Sequence, residues 1–595
     1  MHIVDFSQGN CYTYNETNGC KVLFFRQEIS FFNQRRKSRL QYLTKKKIYI
    51  IMRENRTVFV MKRFGVMLDM SRNAVMKPEE IKNFANVIKS FGYNMIQLYT
   101  EDTYEVENEP YFGYLRGMYT EAELKDVVSY CNGIGVEVIP CIQTLAHLNQ
   151  IFKWSTYHSV NDCTDILLAE EPRTYELIEN MFKSLRKSFT TDYIHIGMDE
   201  AHMLGLGKYL DKHGYQNRFE ILSRHLSKVI EIAEKYAFKP IMWSDMFFRL
   251  ANKGEYYPEN PAIPQEVIDI TPKNVGLVYW DYYHHEQTIY DKMFDAHLAF
   301  GNEVWFAGGA WTWTGFAPGN KKSMETMIPA MRSAKEKNIE NILITMWGDD
   351  GKECSFYAVL PALYAMKRVY DGVEDMETIK REFKALTGED YDAMSDLDLP
   401  NYVLKNRTCL GNVSKHMLYS DPFLGFLDTT VDEKAAEEFA THAKTLANYA
   451  KTSKNYGYIF ESLSALCDVL TVKYPLGVRL RAAYQANDKK SLEKLSKDFS
   501  VVIEKLDVFH DKFSVLWYKE NKPHGFEVQD QRLGGLRQRL VSCKKRLDAY
   551  LGGFISKLPE LEEELLDFYC RDKVEPQDEL PCFNIWKDNV SANIM

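Results

Sequence analysis

From residue 64 onward the apolar positions fall into two alternating patterns. Residues 64–68, 94–99, 137–142, 193–198, 240–243, 276–280, 303–307 and 341–346 are short runs of apolar and β-branched side chains, the pattern of strands buried on both faces. Between them lie longer stretches whose apolar residues recur at helical spacing. One opens at Pro78-Glu79-Glu80, where proline and acids suit a first helical turn. Another opens at Thr120, with Glu123 at the capping-box position. Further helices are expected over residues 218–236 and 355–370. Eight strands alternating with helices over roughly 300 residues predict an α/β fold, a (β/α)8 TIM barrel, over residues 56–371.

The flanks read differently. After residue 371 the strands stop, and residues 376–386, 432–451, 458–472, 489–513 and 533–551 carry helical patterns. An α-helical C-terminal domain is expected over residues 372–595, packed on the barrel. One polar segment with Pro and Gly interrupts it, Asn521-Lys522-Pro523-His524-Gly525-Phe526-Glu527. It suits either a plain connector between helices or a loop that reaches the barrel mouth. Residues 1–55 show no sustained period, and Arg35-Arg36-Lys37 and Lys45-Lys46-Lys47 break any apolar face. They read as a basic leader or as an upstream extension with the native start near Met52 or Met61, and are expected to lie outside the fold.

Composition narrows the function class. The 595 residues are 45% hydrophobic and 26% charged, ordinary for a soluble globular protein with more than one domain. A net charge of -9 argues against a nucleic-acid partner or an anionic membrane surface. No apolar run approaches the ~18 residues of a membrane span. The 11 cysteines are scattered, with no C-x-x-C and no Cys/His cluster at zinc spacing. They read as free thiols of a reducing, cytoplasmic compartment. No metal or cofactor is implied, and a homodimer stays open.

The chemistry collects at strand ends. Strand four reads Tyr193-Ile194-His195-Ile196-Gly197-Met198 and runs into Asp199-Glu200. Two carboxylates at the end of a buried strand are costly unless used, and in a barrel of parallel strands that end carries the active site. Strand one ends in Asp69-Met70-Ser71-Arg72 and strand two in Tyr99-Thr100-Glu101-Asp102, while strand three leads to Gln143-Thr144-Leu145-Ala146-His147. Strands five, six and eight end in Trp243, Trp280 and Trp347, and strand seven leads into Trp311 and Trp313. Five of nine tryptophans at one barrel face exceed what packing asks for, since barrel interiors favour Val, Ile and Leu. Flat aromatic faces suit the apolar face of a pyranose.

The segment H-x-G-x-D-E resembles the catalytic strand of glycoside hydrolase family 20, the β-N-acetylhexosaminidases, whose usual form is H-x-G-G-D-E; Met198 stands at the second glycine. The resemblance extends from strand one to strand eight. It implies a retaining, substrate-assisted exo-β-N-acetylhexosaminidase that passes through an oxazolinium intermediate. Glu200 would be the general acid and base, Asp199 would accept the acetamide N–H, and Tyr282 would hold the acetamido carbonyl. Leu68-Asp69-x-Ser71-Arg72 is similar to the segment whose arginine holds the 3- and 4-hydroxyls. His147 matches the histidine after strand three, with Leu145-Ala146 where the family has Pro-Gly. Trp243, Trp280 and Trp347 resemble the box around the acetamido group. Trp311 and Trp313 stand where the family's tyrosine is usual. Asp349 would bind outer hydroxyls, and Asp102 is a further candidate for substrate binding. The helical C-terminal region resembles a divergent bacterial branch. The small α/β domain that often precedes the barrel has no room. The D-x-x-D-x-D-x-E strand of chitinases is absent, and the two adjacent aspartates of O-linked N-acetylglucosaminidases are replaced by Asp-Glu. A non-catalytic sugar-binding barrel would be marked by a lost acid, and both acids are present.

Overall fold

The computed structural model describes residues 63–403, 412–568 and 585–593, together with two short antiparallel strands, Ile3–Val4 and Cys11–Tyr12. Apart from those two strands, the segment read as a leader lies outside the described residues.

Eight strands close into one barrel: β1 (Arg63–Asp69), β2 (Met95–Tyr99), β3 (Glu137–Cys141), β4 (Tyr193–His195), β5 (Lys239–Trp243), β6 (Gly276–Trp280), β7 (Val304–Gly309) and β8 (Asn341–Met346). Every neighbouring pair is parallel, and β8 returns to pair with β1. Parallel neighbours need a crossover, and right-handed helical crossovers cover the outside of such barrels. Here the longer ones include Pro78–Ser90, Glu121–Gly133, Pro172–Ser188, Arg218–Lys235 and Asn320–Glu336. The capping box forms as expected: the Thr120 hydroxyl accepts from the Glu123 N–H, and the Glu123 carboxylate accepts from the Thr120 N–H at 2.9 Å.

Register places the chemistry on one level. Asp69 pairs with Tyr99, Tyr99 with Cys141, and Cys141 with His195. The C-terminal ends of β1 to β4 therefore stop together, and the loops behind these four strands emerge at the same face.

One strand differs from expectation. β4 stops at His195 instead of running to Met198, because Gly197 (φ 71°) and Met198 (φ 72°) both turn left-handed. Gly197 is required there: a Cβ would sit 2.1 Å from Gln143 Oε1. Met198 makes the same turn with a side chain, at a strain of about 1–3 kcal/mol. It is fully buried, so its packing helps offset that strain. This gives a physical reason for glycine as the usual residue at that position of the motif.

Beyond the barrel the chain is helical, with Met376–Thr387, Ala435–Thr452, Gly457–Lys473, Leu476–Gln485, Lys489–Glu520 and Phe526–Leu551 the longer elements. Two of these are longer than the sequence pattern predicts. The first of the long pair continues to Glu520 because Leu516 and Trp517 are also buried, and the second starts at Phe526, not at residue 533. The polar segment thus shrinks to Asn521–Gly525, and Glu527 becomes a first-turn acid whose carboxylate accepts from the Gly525 N–H at 2.7 Å. Barrel and helices form one compact unit from Lys62 onward. Among the described residues no helix is long and apolar enough to cross a membrane.

Candidate active site

At the C-terminal end of the barrel lies a cavity of about 210 Å³, lined by Arg72, Tyr99, His147, Asp199, Glu200, Trp243, Trp280, Tyr282, Tyr283, Trp313, Trp347 and Asp349. All eight strand ends or the loops behind them contribute to this wall, β7 through Trp313.

The acid pair is split by its surroundings. The Asp199 side chain is 12% exposed and that of Glu200 42%. Asp199 Oδ1 accepts from Gln143 Nε2 at 2.8 Å, and its Oδ2 lies 3.2 Å from His147 Nε2. Burial works to raise the Asp199 carboxyl, but the His147 charge and the hydrogen bonds from His147 and Gln143 outweigh it and hold the group below its usual range. His147 shows the other half of the pair. Burial alone would lower it, yet the charges of Asp199 and Glu101 push it up to about 10. Near neutral pH the pair is therefore an imidazolium against a carboxylate. Glu200, at φ 50°, is turned towards the opening, with its N–H donated to Asp245 Oδ2 at 3.1 Å and its carboxylate 3.9 Å from His147 and 3.8 Å from Arg249.

A buried hydrogen-bonded chain runs beneath the pocket floor. Gln143 Nε2 also donates to Tyr99 Oη at 3.1 Å, Tyr99 Oη donates to Glu101 Oε1 at 2.9 Å, and Glu101 Oε1 pairs with Arg72 at 3.1 Å. Gln143 Oε1 accepts from the Met198 N–H at 3.2 Å. The guanidinium of Arg72 is raised above its ordinary value by Glu101. Arg72 and Asp199 are thus tied through Glu101, Tyr99 and Gln143. Asp69 fastens the ends of β1 and β8 together: it accepts from the Ser71 N–H and hydroxyl and, at 2.8 Å, from the Gly348 N–H. Asp349 follows at φ 32°, and burial first of all pushes its carboxyl up to about 7, against the pull of Arg72.

Aromatic rings form the walls. Trp243 and Trp347 lie 5.9 Å apart, and Trp280 stacks on Tyr282 at 5.5 Å. Trp347 Nε1 donates to Tyr282 Oη at 3.0 Å, which fixes both rings. Arg72 Nε and Trp243 Nε1 are buried and have no hydrogen-bond partner within the described protein. Buried donors without a partner are costly, and both residues line the cavity.

Ten of the twelve residues singled out from the sequence come together here. Asp102 and Trp311 do not line the cavity. Asp102 is buried against Arg116, whose NH2 lies 3.1 Å from it, and the acid that serves Arg72 is its neighbour Glu101. Trp311 stands behind Trp313, stacked on it at 4.4 Å. Sequence reasoning passed over Tyr99, Glu101, Gln143, Tyr283, Asp245 and Arg249. The first three lie in strand-end segments already noted, but β2 stops at Tyr99 and Glu101 turns left-handed at φ 43°, so no strand period separates Glu101 from Asp102. The Asn521–Gly525 loop also stays out of the cavity. It docks on the segment after Arg72, where the Lys522 N–H donates to the Val75 carbonyl at 2.8 Å.

Comparison with known proteins adds an independent line. The pattern of the Glycosyl hydrolase family 20 catalytic domain matches residues 63–341, and that of the Glycoside Hydrolase 20C C-terminal domain matches residues 389–579. A probable beta-hexosaminidase of Arthroderma benhamiae is 24% identical over 237 residues, 33% of this chain and 38% of that protein. Hexosaminidase D of Homo sapiens is 24% identical over 227 residues, 36% of this chain and 43% of that protein. The chain thus spans less than half the length of these curated relatives. Among solved structures, the family 20 exo beta-N-acetylglucosaminidase of Vibrio harveyi in complex with N-acetylglucosamine aligns over 56% of this chain and 59% of its own, with 14% identity and a TM-score of 0.44.

Proposed function

This chain belongs to glycosyl hydrolase family 20, and on that premise we propose that it is an exo-acting β-N-acetylhexosaminidase. It releases terminal β-linked N-acetylglucosamine from oligosaccharides or glycoconjugates, with N-acetylgalactosamine as the second sugar to test. The reaction retains configuration and is assisted by the substrate, the exception among retaining glycosidases. The acetamido oxygen forms a bond to C1 as the C1–O bond to the leaving group breaks. Glu200 gives its proton to that leaving oxygen. The resulting oxazolinium is opened by water, and Glu200 takes back a proton. Asp199 accepts the acetamide N–H and stabilises the positive charge as it develops. Tyr282 donates to the acetamido carbonyl, and the tryptophan walls hold the group over C1. A cytoplasmic location and a homodimer belong to the same reading; Cys131, Cys141, Cys163, Cys354, Cys467 and Cys543 are free thiols, which suits the former.

The observation that carries this reading is the division of labour between the two acids. A buried Asp199 is held ionised by His147 and Gln143, beside a Glu200 that faces the opening. One carboxylate is set to stabilise a cation, and the other is free to exchange protons with a leaving group and water.

An aryl 2-acetamido-β-glucoside and its 2-hydroxyl analogue test it. Only the first is expected to be cleaved, and equal rates would remove the mechanism. Glu200→Gln is expected to lose roughly 10²–10⁴-fold with a poor leaving group and less with an activated one. Asp199→Asn is expected to lose with both and to bind a thiazoline mimic of the oxazolinium poorly.

A further inference from the structure

The loops after β2 and β3 carry an aromatic cluster outside the cavity. Tyr111, Tyr114 and Trp154 lie with ring centroids 5.4–5.8 Å apart. Tyr111 is 45% exposed, Tyr114 43% and the adjoining Leu115 68%. Monomeric proteins seldom leave grouped large apolar side chains in water without a use for them.

The β2 loop is braced by buried contacts. The base of the β2 loop closes through Tyr119 N–H to the Thr103 carbonyl and Glu105 N–H to the Tyr119 carbonyl, both 2.9 Å. Phe112 is buried and packs edge-on against Tyr104 at 5.3 Å. Glu109 is buried and takes Arg173 at 2.7 Å and Asn180 at 3.0 Å. Asn108 and Leu115 hold left-handed conformations, a strain a surface loop does not keep without support. The loop that carries Tyr111 and Tyr114 is therefore anchored through its buried residues.

The segments that carry the cluster are also joined to pocket-lining segments on two sides. Arg116, two residues after Tyr114, pairs with Asp102 and donates to the carbonyl of Ser71, the residue before Arg72. Trp154 ends the stretch that begins at His147, whose Nε2 is 3.9 Å from Glu200. Glu200 marks the side on which the leaving group departs, and His147 beside it begins the stretch that carries Trp154.

We infer that Tyr111, Tyr114 and Trp154 form a distal carbohydrate subsite, which holds sugars of the leaving chain after the terminal residue has entered the cavity. This rests on the glycosidase reading and adds a preference for oligosaccharides. Phenol and indole rings offer flat apolar faces with a polar tip, the complement of a pyranose with axial C–H bonds and equatorial hydroxyls. A cavity of about 210 Å³ takes in the end of a chain and leaves the rest on the rim.

The test compares Tyr114→Ala, Trp154→Ala and Trp154→Phe with the unaltered full chain on three substrates: an aryl N-acetylglucosaminide, the β-1,4-linked disaccharide and the tetrasaccharide. With an aromatic contact worth about 0.5–1.5 kcal/mol, Tyr114→Ala and Trp154→Ala should lower kcat/KM for the tetrasaccharide roughly three- to tenfold, through KM. The aryl glycoside should be unchanged, and Trp154→Phe should keep most of the activity. Tyr114 is on the surface, so its variant keeps the test open if Trp154→Ala misfolds. Equal losses on all three substrates, or none on the tetrasaccharide, overturn the inference, as does a change of oligomeric state by light scattering with unaltered tetrasaccharide kinetics. Failure of the unaltered enzyme to cleave the aryl glycoside would instead reject the glycosidase reading itself.

Discussion

Gln143 is completely buried and bonds three groups with one amide: its NH2 faces Asp199 and Tyr99, and its carbonyl faces the Met198 N–H. The orientation follows from the partners, because the flipped amide would set an oxygen against a carboxylate and an NH2 against an N–H. Gln143→Glu keeps the volume and turns the donor into an acceptor facing Asp199. The like charge raises the Asp199 pKa, so the acid limb of kcat/KM moves to higher pH. A hydrogen bond to a charged group is worth about 1.5–3 kcal/mol, so the loss at neutral pH should be roughly 10- to 100-fold. In an Asp199→Asn background the same change should cost little, because the charge it opposes is gone. Kinetics of the four proteins measure this, and losses that simply multiply would show that Gln143 does not act through Asp199. At this scale the sequence was readable where a residue type has one use. The Asp-Glu pair and the strand-end tryptophans announced themselves. Glu101 did not, because Glu101, His147, Glu200 and Asp349 all have positive φ, a backbone turn that non-glycine residues give no hint of in the sequence. Choosing between Glu101 and Asp102 required that turn.

The loop that follows β8 shows how an element is held from outside the barrel. Asp350 and Glu353 meet Lys415 at 3.3 and 2.9 Å and Arg532 at 2.9 and 3.3 Å, and the Trp586 N–H donates to Asp350 Oδ2 at 2.6 Å. All three partners come from the helical region, and Asp349, which lines the cavity, directly precedes this clamp. Burial first of all raises the Glu353 carboxyl, and Lys415 and Arg532 oppose it. Lys415→Met strands buried acids, and breaking a buried pair costs about 3–5 kcal/mol. The variant should melt lower and, because Asp349 loses its support, show a higher KM with a smaller change in kcat. Lys415→Met combined with Glu353→Gln should recover part of the stability. An unchanged KM in a folded Lys415→Met protein would mean the clamp serves stability alone. The strands and helices of the barrel were legible because each repeats a short, strong pattern. The clamp was not, since its four charges are scattered from residue 350 to 532 and only packing brings them together. Helix ends in the C-terminal region were misjudged for a related reason: the helical pattern reads as ending at residue 513 and the polar segment as spanning 521–527, whereas Glu520 is buried and its carbonyl accepts from the Lys77 N–H.

Taken over the whole molecule, the buried ionisable groups set how stability depends on pH, and they pull in opposite directions. Burial raises the carboxyls of Asp245, Asp349, Asp398 and Asp428 to about 7. Between pH 3.8 and 7 these groups keep protons that the unfolded chain has lost, so each makes stability fall as pH rises. Burial lowers His195 to about 3 and His225 and His297 to about 4. The unfolded chain then binds protons that the folded one does not, so these three make stability rise with pH up to 6.5. The two sets oppose each other on the acidic side. Above pH 6.5 the histidines have finished, and the balance ends. His147, raised to about 10, and His284, raised chiefly by its hydrogen bond to Asp281, now lose protons in the unfolded chain first. Their stabilisation is complete below 6.5 and is lost as pH climbs towards the folded value. The same sign holds for the last part of the carboxyl titration. Lys473, lowered by burial to about 8, opposes the trend only above that pH. Stability should therefore decline between pH 6.5 and 8, by about 1.4 kcal/mol per pH unit for each proton involved. Denaturant unfolding at several pH values across that window measures the slope. His147→Gln should flatten it, since the variant carries no titrating group opposite Asp199. A wild-type protein that grows more stable from pH 6.5 to 8, or a His147→Gln slope equal to the wild type, would show that His147 is not held protonated by Asp199.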